Sequence, residues 1–140
     1  MSDLSERDCW ELLAKARYGR LAYHLAGEVH IVPINYVTST AGRQLFFRSA
    51  EGSKLLGVVM DHDVAFEIDD VVGDTAWSVV ARGRAELLEG EEARATKDLP
   101  LVVWVAGATH RVVAVDITEV TGRRFELRRA ELHRSEFISQ

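Results

Sequence analysis

The chain predicts a mainly β domain, with antiparallel strands curling into a barrel flanked by two or three helices. Three observations carry this. From Arg20 onward the apolar residues recur with a period of two, the spacing of half-buried strands. Short segments rich in Gly, Asp and Thr separate these runs, so successive strands should pair as hairpins and the sheet should be largely antiparallel. Six or seven such strands in 140 residues are long for the chain, and sheets of that kind close on themselves.

The elements follow in order. Residues 5–18 read as a helix. Ser5-Glu6-Arg7-Asp8 resembles a capping box, Leu4 and Cys9 stand where a hydrophobic staple forms, and Gly19 supplies a stop. Cys9, Leu12, Leu13 and Ala16 mark its apolar face. Arg20–Leu25 and Val29–Val37 form a hairpin across the tight turn Ala26-Gly27-Glu28. Arg43–Arg48 is a third strand, Val64–Asp69 a fourth and Ala76–Leu88 a fifth, with Asp70–Thr75 an acidic solvent-facing loop. A short helix is expected over Gly90–Thr96, then an irregular stretch containing Pro100, Trp104 and Gly107. His110–Ile117 and Arg123–Arg128 follow as the last strands, around a turn at Thr118–Gly122.

Between the third and fourth strands, Phe46-Phe47-Arg48-Ser49-Ala50-Glu51-Gly52-Ser53-Lys54-Leu55-Leu56 reads as a strand, a polar turn and a helix capped by Ser53. Arg48, Ser49, Ser53 and Lys54 gather groups suited to an anion, and a helix start adds free N–H groups. A phosphate monoester suits such a corner. Ordinary solvated charge is the commoner use of such a cluster. Pro33 cannot donate to a ladder, so it marks an edge, a bulge or a place where a ligand approaches the backbone. Asn35, two residues on, faces the same side, and a flat heterocycle can lie there.

Composition sets limits. Hydrophobic residues make up 47% and charged residues 28%, as in soluble globular domains, and the length fits one domain over 1–140. The net charge of −5 speaks against nucleic acid or an anionic membrane as a partner. The lone Cys9 has no partner for a disulfide or a zinc site. With no signal peptide and no apolar run long enough to span a bilayer, the cytoplasm is the expected compartment.

Taken together, Gly19–Ala22, Val32–Asn35, Phe47–Leu55, Asp63–Asp69 and Trp77–Ala85, in that order after a first helix, resemble one family. It is the pyridoxamine 5′-phosphate oxidase-like family of FMN-binding split β-barrels, nearest its short nitroimidazole-reductase-like members. The resemblance implies a homodimer with FMN at the subunit interface and a flavin-dependent oxidoreductase acting on a small molecule. It implies that Arg48, Ser49, Ser53 and Lys54 hold the phosphate. Val32, Pro33, Ile34 and Asn35 would line the ring, and Trp77 and Ser78 would reach the flavin of the partner subunit. Arg82-Gly83 matches a structural step of the family. The C-terminal residues 131–140 do not resemble the Arg- and His-rich substrate segment of the true oxidase, so that activity is not implied. A deazaflavin cofactor, or haem, is used by relatives, and a non-enzymatic module holding any of these is the alternative.

Other chemistry finds little support. The five histidines show no metal-ligand spacing, though His24 and His30 lie on facing strands of one hairpin. No nucleophile elbow or P-loop is present. No residue stands out as a catalytic acid or base, and Trp104 reads as core or interface packing.

Overall fold

The computed structural model describes residues 2–50, 62–101 and 110–128, with the backbone alone at His62. The strands are β1 (Ser2–Asp3), β2 (Tyr18–Leu25), β3 (Glu28–Asn35), β4 (Val37–Ser39), β5 (Gln44–Ala50), β6 (His62–Val72), β7 (Thr75–Leu87) and β8 (His110–Glu126). The helices are α1 (Glu6–Lys15) and α2 (Gly90–Ala95). All eight strands join one sheet in the order β3-β2-β6-β7-β8-β5-β4, with β1 added to β8. Every pairing among the described residues is antiparallel. The sheet curls until β3 comes against β5 without pairing to it, so the barrel is split along that seam. No helix among the described residues is long and apolar enough to cross a membrane.

The core lies inside the curl. Alternate residues of each strand fill it, with Leu21, Leu45, Phe47, Phe66, Val79, Val113 and Val115 fully buried. Helix α1 adds Cys9, Trp10 and Leu13. Ser5 caps it as the sequence predicts, accepting from the Asp8 N–H at 3.1 Å. Arg43 fastens the outer side of α1, pairing with Glu6 at 2.5 Å and lying 5.7 Å from the centre of the Trp10 ring. A smaller apolar cluster of Leu88, Val112 and Ala114, with Phe46 and Ala93, sits under α2 on the other face of β5 and β8.

Four local expectations are corrected. Helix α1 ends at Lys15 rather than near residue 18, and Gly19 is a strand residue. A Cβ at Gly19 would stand 2.2 Å from the Phe66 ring, so this glycine serves packing rather than helix termination. The strand expected over Val29–Val37 breaks at Tyr36, whose buried hydroxyl donates to the Leu13 carbonyl at 2.6 Å. The acidic loop is mostly strand: β6 runs to Val72, leaving the tight turn Gly73-Asp74. The last two strands are one, because a bulge absorbs the expected turn. Arg82 pairs with Glu119 and Gly83 with Ile117, leaving Thr118 extra. The Thr118 hydroxyl donates to the Arg82 carbonyl at 3.2 Å.

Burial pushes the Tyr36 phenol well above its ordinary value. A raised folded value means that its contribution is complete below about pH 10 and is lost as the pH climbs further. Tyr36→Phe leaves the Leu13 carbonyl without this donor. It should cost about 1–3 kcal/mol in urea denaturation at pH 7 and flatten the alkaline fall in stability.

Candidate functional site

Strands β2 and β3 present one outer face. Their register sets Tyr18 beside Asn35, Arg20 beside Pro33, Ala22 beside Ile31 and His24 beside Val29. Val29 is 81% and Ile31 65% exposed, high for β-branched apolar side chains. β3 ends the sheet, so its far backbone edge has no strand partner among the described residues. Pro33 therefore sits on an edge strand, where a missing N–H is tolerated.

The residues expected to line a flavin ring divide by strand alternation. Pro33 and Asn35 share the outer face, whereas Val32 packs against the core and Ile34 is buried in it. Asn35 is also buried, and its side-chain NH₂ donates to the Arg17 carbonyl at 2.9 Å. The same carbonyl accepts the Tyr36 N–H at 3.0 Å. Asn35 thus braces the bend between β3 and β4.

The phosphate set divides as well. On β5, Ser49 is buried with Leu45 and Phe47, while Arg48 lies on the other face and donates to the Lys97 carbonyl at 3.2 Å. Ser53 and Lys54 lie outside the described residues, as do Trp104 and His133. One group beside Arg48 escaped sequence reasoning. His110 pairs with Ala50, two positions along from the Arg48–Val112 pair and so on the same face. Its Nε2 is buried, with no hydrogen-bond partner among the described residues. A ring nitrogen in that state is costly unless something fills the contact. A phosphate oxygen suits it, because Arg48 supplies charge and His110 a second polar atom. No motif in the sequence could have revealed this, since the neighbour is set by the β5–β8 register.

Trp77 and Ser78 lie on β7, three strands along from β3, with β2 and β6 between them. Trp77 packs against the core and Ser78 occupies the opposite face beside Asp69. One chain does not bring them to Pro33.

A cleft of about 480 Å³ opens on the outer face, lined by Ala22, His24, Val29, Ala65, Arg82 and Thr118 among others. Next to Pro33 on that face, Arg20 forks to Glu67 and to Asp69, the latter at 2.9 Å. Partial burial raises the Glu67 carboxyl above its usual value, and the hydrogen bond with Asp69 adds to this against the pull of Arg20. His24 and His30 point to opposite faces: Tyr23, adjacent to His24, is the cross-strand partner of His30 and stacks on it at 5.2 Å. One chain therefore cannot offer both to a single iron. No group of three or more His, Cys, Asp or Glu side chains among the described residues could hold a metal ion.

Known proteins match this geometry. A FAD-binding protein from Mycobacterium smegmatis superposes with a TM-score of 0.80 at 36% identity, covering 91% of this chain and all of its own. A FAD-binding protein from Mesorhizobium loti gives a TM-score of 0.71 at 26% identity, over 89% of this chain and 98% of its own. An uncharacterised protein of Mycobacterium tuberculosis is 39% identical over 85 residues, which is 60% of this chain and 77% of the relative. The family model described as pyridoxamine 5′-phosphate oxidase matches residues 5–124, and on that match the chain belongs to the pyridoxamine 5′-phosphate oxidase family.

Proposed function

We propose that this chain binds a flavin nucleotide and uses it in an oxidoreductase acting on a small molecule. The observation that carries the reading is the pair on one face of β5 and β8: the Arg48 guanidinium and the buried Nε2 of His110, which has no hydrogen-bond partner among the described residues. A bound flavin supplies the hydride and electron transfer. Arg48 and His110, with Ser49, Ser53 and Lys54 from the resemblance, hold its phosphate. Pro33 and Asn35 set the ring against the edge of β3, with Val32 and Ile34 contributing backbone. FMN suits the compact cationic corner, while the FAD-binding relatives favour the larger nucleotide. A deazaflavin would use the same ring contacts.

The assembly is a homodimer, and the partner subunit supplies Trp77 and Ser78 to each site. Support comes from the exposure of Val29 and Ile31, an apolar area that a second copy would cover. Ile31→Lys is expected to shift the protein to monomer in sedimentation experiments. A dimer unaffected by this change would place the interface elsewhere.

Visible absorbance of the purified protein, followed by titration with FMN, FAD and the deazaflavin, tests the reading. Uptake of one of them with a bound-flavin spectrum is expected, and failure of all three to bind refutes it. A module that holds the cofactor without turnover is the second reading. It is favoured by the absence of recognisable substrate residues in the sequence. Turnover with a nicotinamide donor and an artificial acceptor separates the two.

A further inference from the structure

A second cleft, of about 490 Å³, lies where the C-terminal turn of α1 meets the bend between β3 and β4. We propose that it binds a small planar organic anion, such as an aromatic carboxylate, and that this is the substrate class of the protein.

Charge is the first argument. Lys15 and Arg17 stand on its wall, and no acidic residue lines it among the described residues, in a chain of net charge −5. Neither cation has an ion-pair partner among the described residues. The nearest acid on the same helix, Glu11, is engaged by Arg7 at 3.3 Å. Cations spaced without counter-ions around a concavity concentrate anions there.

Shape and rigidity are the second. Tyr18, 53% exposed, borders the cleft, and its ring offers a flat apolar surface. Thr38 and Thr40 add hydroxyl groups. The floor is fixed before any ligand arrives. The Arg17 carbonyl is held by Asn35 and by the Tyr36 N–H, and the Tyr36 hydroxyl holds the Leu13 carbonyl. The Leu12 carbonyl accepts the Ala16 N–H, so two carbonyls at the negative end of α1 are already satisfied. A preformed pocket of this kind loses little on binding.

Position is the third. Asn35 belongs both to this cleft and to the face proposed for the flavin ring. A ligand held here therefore lies at one end of that face. As a substrate site the cleft rests on the flavin reading; as an anion site it does not.

The test uses benzoate and its neutral analogue benzamide, titrated by calorimetry into the full chain with and without bound flavin. Benzoate is expected to bind at least tenfold more tightly than benzamide. The double variant Lys15→Met with Arg17→Met should abolish that preference and leave flavin affinity within twofold. Equal binding of the two probes overturns the proposal, and so does binding of neither. A preference that survives in the double variant also overturns it. Benzoate selectivity in a protein that takes up no flavin would keep the anion site and remove its role as a substrate site.

Discussion

Gly83→Ala is expected to destabilise the protein by about 3 kcal/mol or more, at the upper end of what forcing atoms into a packed interior costs. A Cβ at this position would stand 2.0 Å from the Asp116 carbonyl oxygen and 3.0 Å from the Ile117 Cα. Both obstacles are backbone atoms of β8, the strand paired to Gly83 on the inner side of the bulge. Relief would require β8 to move away from β7, and that pairing is the longest in the sheet. Gly27→Ala provides the comparison. It has a φ of +84° and nothing within 4 Å of a new Cβ, so its cost is backbone conformation alone, about 1 kcal/mol. Urea denaturation of the two variants should therefore differ by about 2 kcal/mol or more, on the same grounds. Equal midpoints would mean that the bulge yields without resistance.

Arg48→Ala should weaken flavin binding by about 1.5–3 kcal/mol, the range for a charged hydrogen bond, or one to two orders of magnitude in Kd. The fold should survive. Arg48 is only part-buried on the α2 side of β5, and it donates a hydrogen bond to the Lys97 carbonyl. His110→Phe isolates the neighbouring contribution, because it removes the buried Nε2 while keeping a ring of similar size. Fluorescence quenching of FMN and FAD reads both variants. If Arg48→Ala binds flavin as the parent protein does, the phosphate lies elsewhere. Retention of circular dichroism and of the thermal midpoint distinguishes a lost ligand contact from a lost fold.

Much of this fold was legible in the residues because strand alternation is a local signal. The hairpin β2–β3, the cap at Ser5 and the short helix at Gly90 each depend on neighbours a few positions away. The bulge at Thr118 was not legible: Thr118–Gly122 has the composition of a turn, yet long-range pairing with β7 keeps it extended. Gly19 misled for the same reason, since its use is set by Phe66, far away in sequence. The candidate site shows the same division. Pro33 and Asn35 could be put on one face by counting, and the structure agrees. Counting likewise separates Arg48 from Ser49, although both read as one charged motif. His110 and the Lys15–Arg17 cleft depend on which strands and turns meet, and that information exists only in the assembled chain.

The position of Pro33 bears on how the protein survives its own synthesis. Val29-His30-Ile31-Val32 and Ile34 form a β-prone run at the open end of the sheet. Such an edge, flat and apolar, invites strands from other molecules to add to it and seeds aggregation. A proline in the middle of the run interrupts the row of donors that an incoming strand would need. The missing N–H that lets β3 end the sheet thus also guards nascent and unassembled chains against stacking edge to edge.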